Sequence, residues 1–325
     1  MPEWLYEEGI GENRAILVDG DHIVEAAIEL PAGIRFGAII PARLSQIHVA
    51  GRRGLAVFEG GEAIVEPLPR HMTQGQAIRI EIVREPIPEA GKPKPARARC
   101  TEEAPRQGPA LLERIGSPVP QGFGGVDRFE AAGWSELLEE ATTGEIGFAG
   151  GSLRMSVTPA MTLFDVDGAL PPAELAVAGA EAAAHAIRRF GIGGSIGVDL
   201  PTVAGKAERQ APAAALDALL PQPFERTGVN GFGFLQIVRR RARASLPELL
   251  QGDPVGAAAR ALLRRAEHAP GVGERILRAA PSVIARIEAN AGWRDRLTRR
   301  IGATVVLQAE PGLAISAGHV HSLHV

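Results

Sequence analysis

The stretch MTLFDVDG, residues 161–168, places two carboxylates, Asp165 and Asp167, where an apolar run gives way to a glycine turn. Its composition reads as a strand, and the fold turns on its neighbours. Upstream, SLRMSVTP (152–159) reads as a second strand. Downstream, the alanine-rich PPAELAVAGAEAAAHAIRRFG (171–191) has prolines at its start and Gly191 just past its end, the start and stop signals of a helix. The short strand GSIGVDL (194–200) follows. Strand, crossover helix and strand make a βαβ unit with parallel strands. Asp165 and Asp199 then sit at the carboxyl ends of neighbouring strands about 4.8 Å apart, at the edge where open α/β sheets bind ligands.

Two readings of the acidic pair stay open at this level. Asp167 and Asp199 can cap, Asp167 before its turn and Asp199 before LPTVAGKAERQ (200–210). Alternatively, Mg²⁺ binds through one or two carboxylates while keeping several waters, which suffices for phosphodiester hydrolysis.

The chain has 325 residues, 45% of them apolar, enough for two or three units with real cores. Its formal net charge of -3 gives no global pull toward a polyanion, so nucleic acid would need a local basic patch. FGFLQIVRRRARASL (232–246) supplies one, read as a helix that carries Arg239, Arg240, Arg241 and Arg243 on or near one turn. A solvated basic face competes with the reading that these guanidinium groups bind phosphates. A single cysteine, Cys100, excludes an internal disulfide and a multi-cysteine zinc site. The acidic N-terminus and the lack of a long apolar run lead us to expect a soluble, cytoplasmic protein with no membrane partner.

Residues 14–84 read as short β-runs punctuated by glycine, with a VDGD hairpin (18–21), which suggests a small OB-like barrel. The proline- and charge-rich segment 85–109 reads as a linker or exposed loop, with a boundary near residue 100. DRFEAAGWSELLEEATTG (127–144) reads as one docking helix, with Phe129, Trp134, Leu137 and Leu138 on a stripe. The expected division is 1–100, N-terminal strands with the barrel; 101–149, linker and docking helix; 150–252, an α/β core; and 253–325, a small α+β unit. That last unit reads as helical patterns at 253–269 and 280–302, then strands at 303–309 and 313–325.

Smaller signals carry less. GIGGSIG (191–197) misses G-x-G-x-x-G spacing because Ile196 takes the last glycine's place, and VAGKAE (203–208) is no P-loop. Lys206 and Arg209 read as phosphate contacts near Asp199 or as an exposed helix face. His319, His321 and His324 on a terminal strand read as solvated rather than metal-binding.

GGSLRMSVTPAMTLFDVDG (150–168), IGGSIGVDL (192–200) and GFGFLQIVRRR (231–241) together resemble the catalytic core of the ribonuclease E/G family, in order and separation. AILVDGDHIVEAAIE (15–29) is similar to that family's opening strands, 36–85 to its embedded S1 barrel, and 253–325 to its C-terminal small domain. The resemblance implies a DNase I-like core and a Mg²⁺-dependent endoribonuclease, with Mn²⁺ as a substitute, cutting single-stranded RNA. Asp165 and Asp199 match the magnesium-binding aspartates. Asp167 stands where the family usually has an asparagine, and Gln236 where it has a glutamate. Arg239 and Arg241 match its arginines, and Phe58 is the nearest match to its RNA-stacking aromatics. Residues 101–149 are too short for the inserted RNase H-like region and its pocket for a 5′-monophosphate, and within them 107–144, with two arginines, Arg114 and Arg128, among several carboxylates, makes a poor anion site. SLPELLQGDPVG (245–256) lacks the cysteines of the zinc link, so any homodimer is expected to form without zinc. The alternative is a non-catalytic RNA-binding or scaffold protein of the same fold.

Overall fold

Three open sheets and one closed barrel divide the chain. The structure is a computed structural model that describes residues 2–89, 91, 93–123, 125–271 and 273–322.

The first three strands, Glu3–Glu8, Asn13–Asp19 and His22–Glu29, pair antiparallel, and Val119–Pro120 joins their edge in parallel. The VDGD turn is the expected tight hairpin, with Asp19 opposite His22 and Gly20 at φ +61°. The barrel begins at Ile39 and closes in the order Ile39–Val49, Arg53–Phe58, Gly61–Val65, Ala96–Cys100, Ala77–Arg84. A closed five-stranded barrel of this order is compatible with an OB-like barrel.

Its closing strand corrects the sequence reading of 85–109 as linker. In Ala96–Arg97–Ala98–Arg99–Cys100 the two inner alanines are buried and the arginines face outward, which is a strand's period of two. Prolines 93 and 95 lie just before the paired residues, where no ladder bond is lost.

The central sheet has six strands, in the order Glu145–Phe148, Gly151–Val157, Thr162–Gly168, Gly194–Asp199, Phe234–Arg239, Phe224–Arg226. Thr162–Gly168 and Gly194–Asp199 are parallel, joined through the helix Pro172–Arg189 as the βαβ reading expects. One sheet face is packed: Leu153, Met155, Phe164, Val166, Ile196, Val198, Leu235 and Ile237 are buried with the alanine face of that helix. Small residues let helix and sheet approach closely; a Cβ at Gly179 would come within 2.5 Å of Val166 Cγ1.

FGFLQIVRRRARASL is not a helix. Its first half, Phe234–Arg239, is the strand beside Gly194–Asp199, with Leu235 and Ile237 buried in alternation. The arginines beyond it lie in an irregular segment before the helix Leu246–Gly252. Leucine and isoleucine on a period of two, Leu235 and Ile237, outweighed the local clustering of arginine.

The docking helix is two, Arg128–Ala131 and Trp134–Thr143, broken at Gly133, which is held at φ +92°. Phe129, Trp134 and Leu137 are buried as expected, whereas Leu138 is only partly covered.

The C-terminal unit contains a central strand that the sequence reading missed, Arg275–Ala279, flanked by Val305–Ala309 and His319–Ser322. The pattern at 280–302 resolves into two helices, Pro281–Ala289 and Gly292–Ile301. His319 and His321 meet edge to face with ring centroids 4.8 Å apart, and His324 lies outside the described residues. Buried ion pairs fasten the unit to the N-terminal sheet: Glu12 accepts from Arg260 (3.0 Å) and Arg264 (2.6 Å). Among the described residues no helix is long and apolar enough to cross a membrane.

Candidate active site

Asp165 and Asp199 are register partners on the two parallel strands. Both are exposed, because the alternation that buries Phe164, Val166 and Val198 turns the aspartates to the uncovered face. Asp167 shares that face one rung further along, opposite Ser152 and roughly 6.6 Å up the strand. The sequence reading put Asp165 and Asp199 at one sheet edge, with Asp167 in support; the fold places the first two side by side and Asp167 one rung along.

The surroundings leave this charge uncompensated. Arg154 stands opposite Asp165 but pairs with Glu145 across the adjoining rung (3.0 Å). Among the described residues, none of the three aspartates takes part in an ion pair or a side-chain hydrogen bond, so the face concentrates negative charge and attracts cations. The described residues contain no group of three or more His, Cys, Asp or Glu side chains arranged to hold a metal ion. A pair fits a hard cation that keeps most of its waters.

Beside Asp199, Gly197 leaves room for two neighbouring side chains. A Cβ there would lie 2.5 Å from Phe234 Cζ and 2.8 Å from Leu163 Cδ2, two side chains that lie across the strand. Gln236 faces Gly197 on the same surface.

The loop 230–233 rises beside the end of the Asp199 strand. Asn230 Oδ1 accepts from the backbone N–H groups of Phe232 (2.9 Å) and Phe234 (3.0 Å). The Leu200 N–H donates to Gly233 O (3.2 Å), and Thr202 Oγ1 donates to Phe232 O (3.3 Å). This frame holds Phe232 85% exposed next to the carboxylates. The sequence reading passed it over; its signal was a lone aromatic between two glycines in NGFGF (230–234).

The other expected site residues are dispersed. Lys206 is exposed at the start of the helix Lys206–Leu219, on the chain just after Asp199. Arg209 folds back to donate to the carbonyls of Val203 (3.3 Å) and Ala204 (2.8 Å). Phe58 lies on the barrel, its ring over Gly61. Arg239 lies opposite Gly194, at the far end of the strand from Asp199, about 17 Å away at 3.3 Å per residue. It donates to the Ile192 carbonyl (3.1 Å), and burial lowers its pKa. Arg240, Arg241 and Arg243 follow at that same end, where the barrel docks: the Glu85 N–H donates to Ala242 O (2.9 Å), and Lys94 Nζ to Pro159 O (2.8 Å). Barrel and arginines therefore adjoin one end of the central strands, and the aspartates the other.

No protein-family model matches the chain, and no curated protein matches it.

Proposed function

We propose that the chain is a Mg²⁺-dependent endoribonuclease of the ribonuclease E/G type acting on single-stranded RNA, with its chemistry at Asp165 and Asp199. The observation that carries the reading is their pairing in register at the carboxyl ends of adjacent parallel strands, on the uncovered sheet face and, among the described residues, free of cationic partners. These two carboxylates would hold the cation, which when bound supplies Lewis acidity toward a phosphate oxygen and a water of lowered pKa. The protein's own part is positioning. Gly197 keeps Phe234 and Leu163 flat beneath Asp199, the 230–233 loop stands beside it, and the arginines at the far strand end and the OB-like barrel supply contacts along a strand of RNA.

The test is incubation of the purified chain with a labelled single-stranded RNA, with Mg²⁺ and then with EDTA. Cleavage that needs the cation and is lost in Asp165→Asn and Asp199→Asn supports the reading; cleavage that survives both substitutions refutes it. One observation favours a second reading, a non-catalytic RNA-binding protein of the same fold. Gln236, on the carboxylate face, is neutral where the resemblance has a glutamate, and Asp167 stands one rung away rather than beside the pair. RNA binding without cleavage under any divalent cation would select that reading.

A further inference from the structure

We infer that the cavity where the barrel, the N-terminal sheet and the central sheet meet is a binding site for a phosphate group, separate from the carboxylate face. The cavity is about 210 Å³, and Arg114, Arg240, Arg241 and Arg243 line it together with the Ala26–Ile28 backbone and Gly193. That volume is roughly seven times one water's share of liquid, enough for a phosphate group with part of its hydration shell.

Positive charge exceeds negative around the cavity. Arg241 is ion-paired with Glu248, and Arg243 lies 3.3 Å from Glu85. The nearby Glu29 is committed to Arg35 (3.2 Å) and to the Leu111 N–H (2.9 Å). Among the described residues, Arg114 and Arg240 have no carboxylate partner. Arg240 lies over the Phe36 ring at 4.9 Å, which orients its guanidinium without neutralising it. Two lining atoms, Arg114 Nε and Arg241 Nε, are buried without a hydrogen-bond partner. Burial, followed by the repulsion of Arg243, pushes Arg114 down to about 10, so the group remains charged at neutral pH.

Buried guanidinium donors left unsatisfied are costly, and like charges crowded together add to that cost. A tetrahedral anion relieves both, because it accepts several charge-assisted bonds and carries up to two negative charges against the two unmatched positive ones. Residues 107–144 taken alone are a poor anion site. The fold makes the site by bringing Arg114 from that segment against arginines more than 120 positions later. The inference does not rest on the chemistry proposed at Asp165 and Asp199; it concerns the arginine end of the strands, to which that reading assigns contacts with RNA.

The experiment is calorimetric titration of the full chain with inorganic phosphate, at ionic strength held constant with chloride. Saturable binding of one phosphate per chain is expected, weakened about tenfold or more in Arg240→Gln and in Arg114→Gln, since each removes a charge-assisted bond. Arg79→Gln, on the outer barrel, should bind as the parent does. Near-ultraviolet circular dichroism checks that the variants fold, and Arg240, being exposed, keeps the test decisive if Arg114→Gln does not. Phosphate that binds no better than chloride, or Arg240→Gln that binds as the parent does, overturns the proposal. A second titration, with a short RNA bearing hydroxyls at both ends, separates the sources: displacement of phosphate identifies an internal RNA phosphate as the occupant, and simultaneous binding identifies a free phosphate. Failure of phosphate binding in the parent chain overturns this site alone, whereas loss of cation-dependent cleavage in Asp165→Asn and Asp199→Asn is read separately at the carboxylates.

Discussion

His268 Nε2 lies 2.7 Å from Glu7 Oε2, joining the C-terminal helix Pro254–His268 to the first strand of the chain across 261 positions. Asp127 stands 3.7 Å from the other ring nitrogen, and Arg14 holds the second face of the Glu7 carboxylate. Burial alone would depress the His268 pKa, but the hydrogen bond and charge of Glu7, with Asp127, more than offset it and raise the imidazole. Burial would likewise raise Glu7, yet the bonds from His268 and Arg14 hold it below the usual carboxylate range.

The raised imidazole contributes stability that is complete below the unfolded value of about 6.5 and is lost as pH rises through the folded value above it. The lowered Glu7 contributes stability that is complete above about 4.5 and is lost as pH falls through its folded value. Urea midpoints should therefore be highest between roughly pH 4.5 and 6.5 and decline on both sides as far as this pair is concerned. His268→Gln, which retains a donor but cannot titrate, should flatten the alkaline limb between pH 6.5 and 8.5; an unchanged limb would assign that dependence to other groups.

Asp165→Asn and Asp199→Asn should lower cation-dependent RNA cleavage by several orders of magnitude, because the pair is the only chemistry proposed for the reaction. Both side chains are exposed and unpaired, so thermal stability should change by no more than about 0.5 kcal/mol. A slightly higher melting temperature would fit the loss of repulsion between adjacent carboxylates. Full activity in either variant ends the proposal.

What the sequence makes legible is local and periodic. The VDGD hairpin, the alanine helix bounded by proline and Gly191, and the parallel pair that carries Asp165 and Asp199 all follow from signals within a few residues of each element. What it hides depends on partners distant along the chain. Ala96–Cys100 has buried side chains no larger than alanine, so its strand character comes from the barrel strands on either side. Arg275–Ala279 carries two arginines in five residues, and one of them, Arg275, is buried, its Nη2 donating to the carbonyls of Ala269 and Gly271 from the preceding loop. The arginine run looked helical because its charges cluster, whereas its place in the sheet is fixed by Leu235 and Ile237. Arg114 gave no sign of joining Arg240 and Arg243, since that meeting is purely tertiary.

Phe232 supplies a prediction about binding that the carboxylates do not. An 85% exposed aromatic ring, on a loop whose backbone is pinned beside the end of the Asp199 strand, offers a stacking surface for an unpaired base, and such stacking contributes about 1–3 kcal/mol. Phe232→Ala should weaken single-stranded RNA binding by roughly fivefold to a hundredfold, by the same figures. Phe232→Tyr should restore most of the loss, because the ring face is retained. Binding measured with an uncleavable oligonucleotide decides it, and equal affinity for Phe232→Ala and the parent would return this ring to the class of incidental surface residues.

Arg14 tests how the N-terminal sheet is held to the rest of the protein. Its guanidinium is fully buried, makes two 3.0 Å bonds to Glu7, reaches Asp127 at 3.3 Å, and lies over the rings of Phe129 at 4.0 Å and Trp134 at 5.2 Å. Replacing one partner of a buried pair strands the other charge, at a cost of about 3–5 kcal/mol. Arg14→Met should therefore be among the most destabilising single changes, even though methionine fills much of the volume and still packs on both rings. Glu7→Gln should cost less, since the amide oxygen still accepts from Arg14 or His268. The double variant Arg14→Met with Glu7→Gln should recover part of the loss, because the buried Glu7 carboxylate is then no longer left without its arginine. Denaturant unfolding of the four proteins measures the coupling; strict additivity would show that Arg14 acts through its ring contacts and not through the carboxylate.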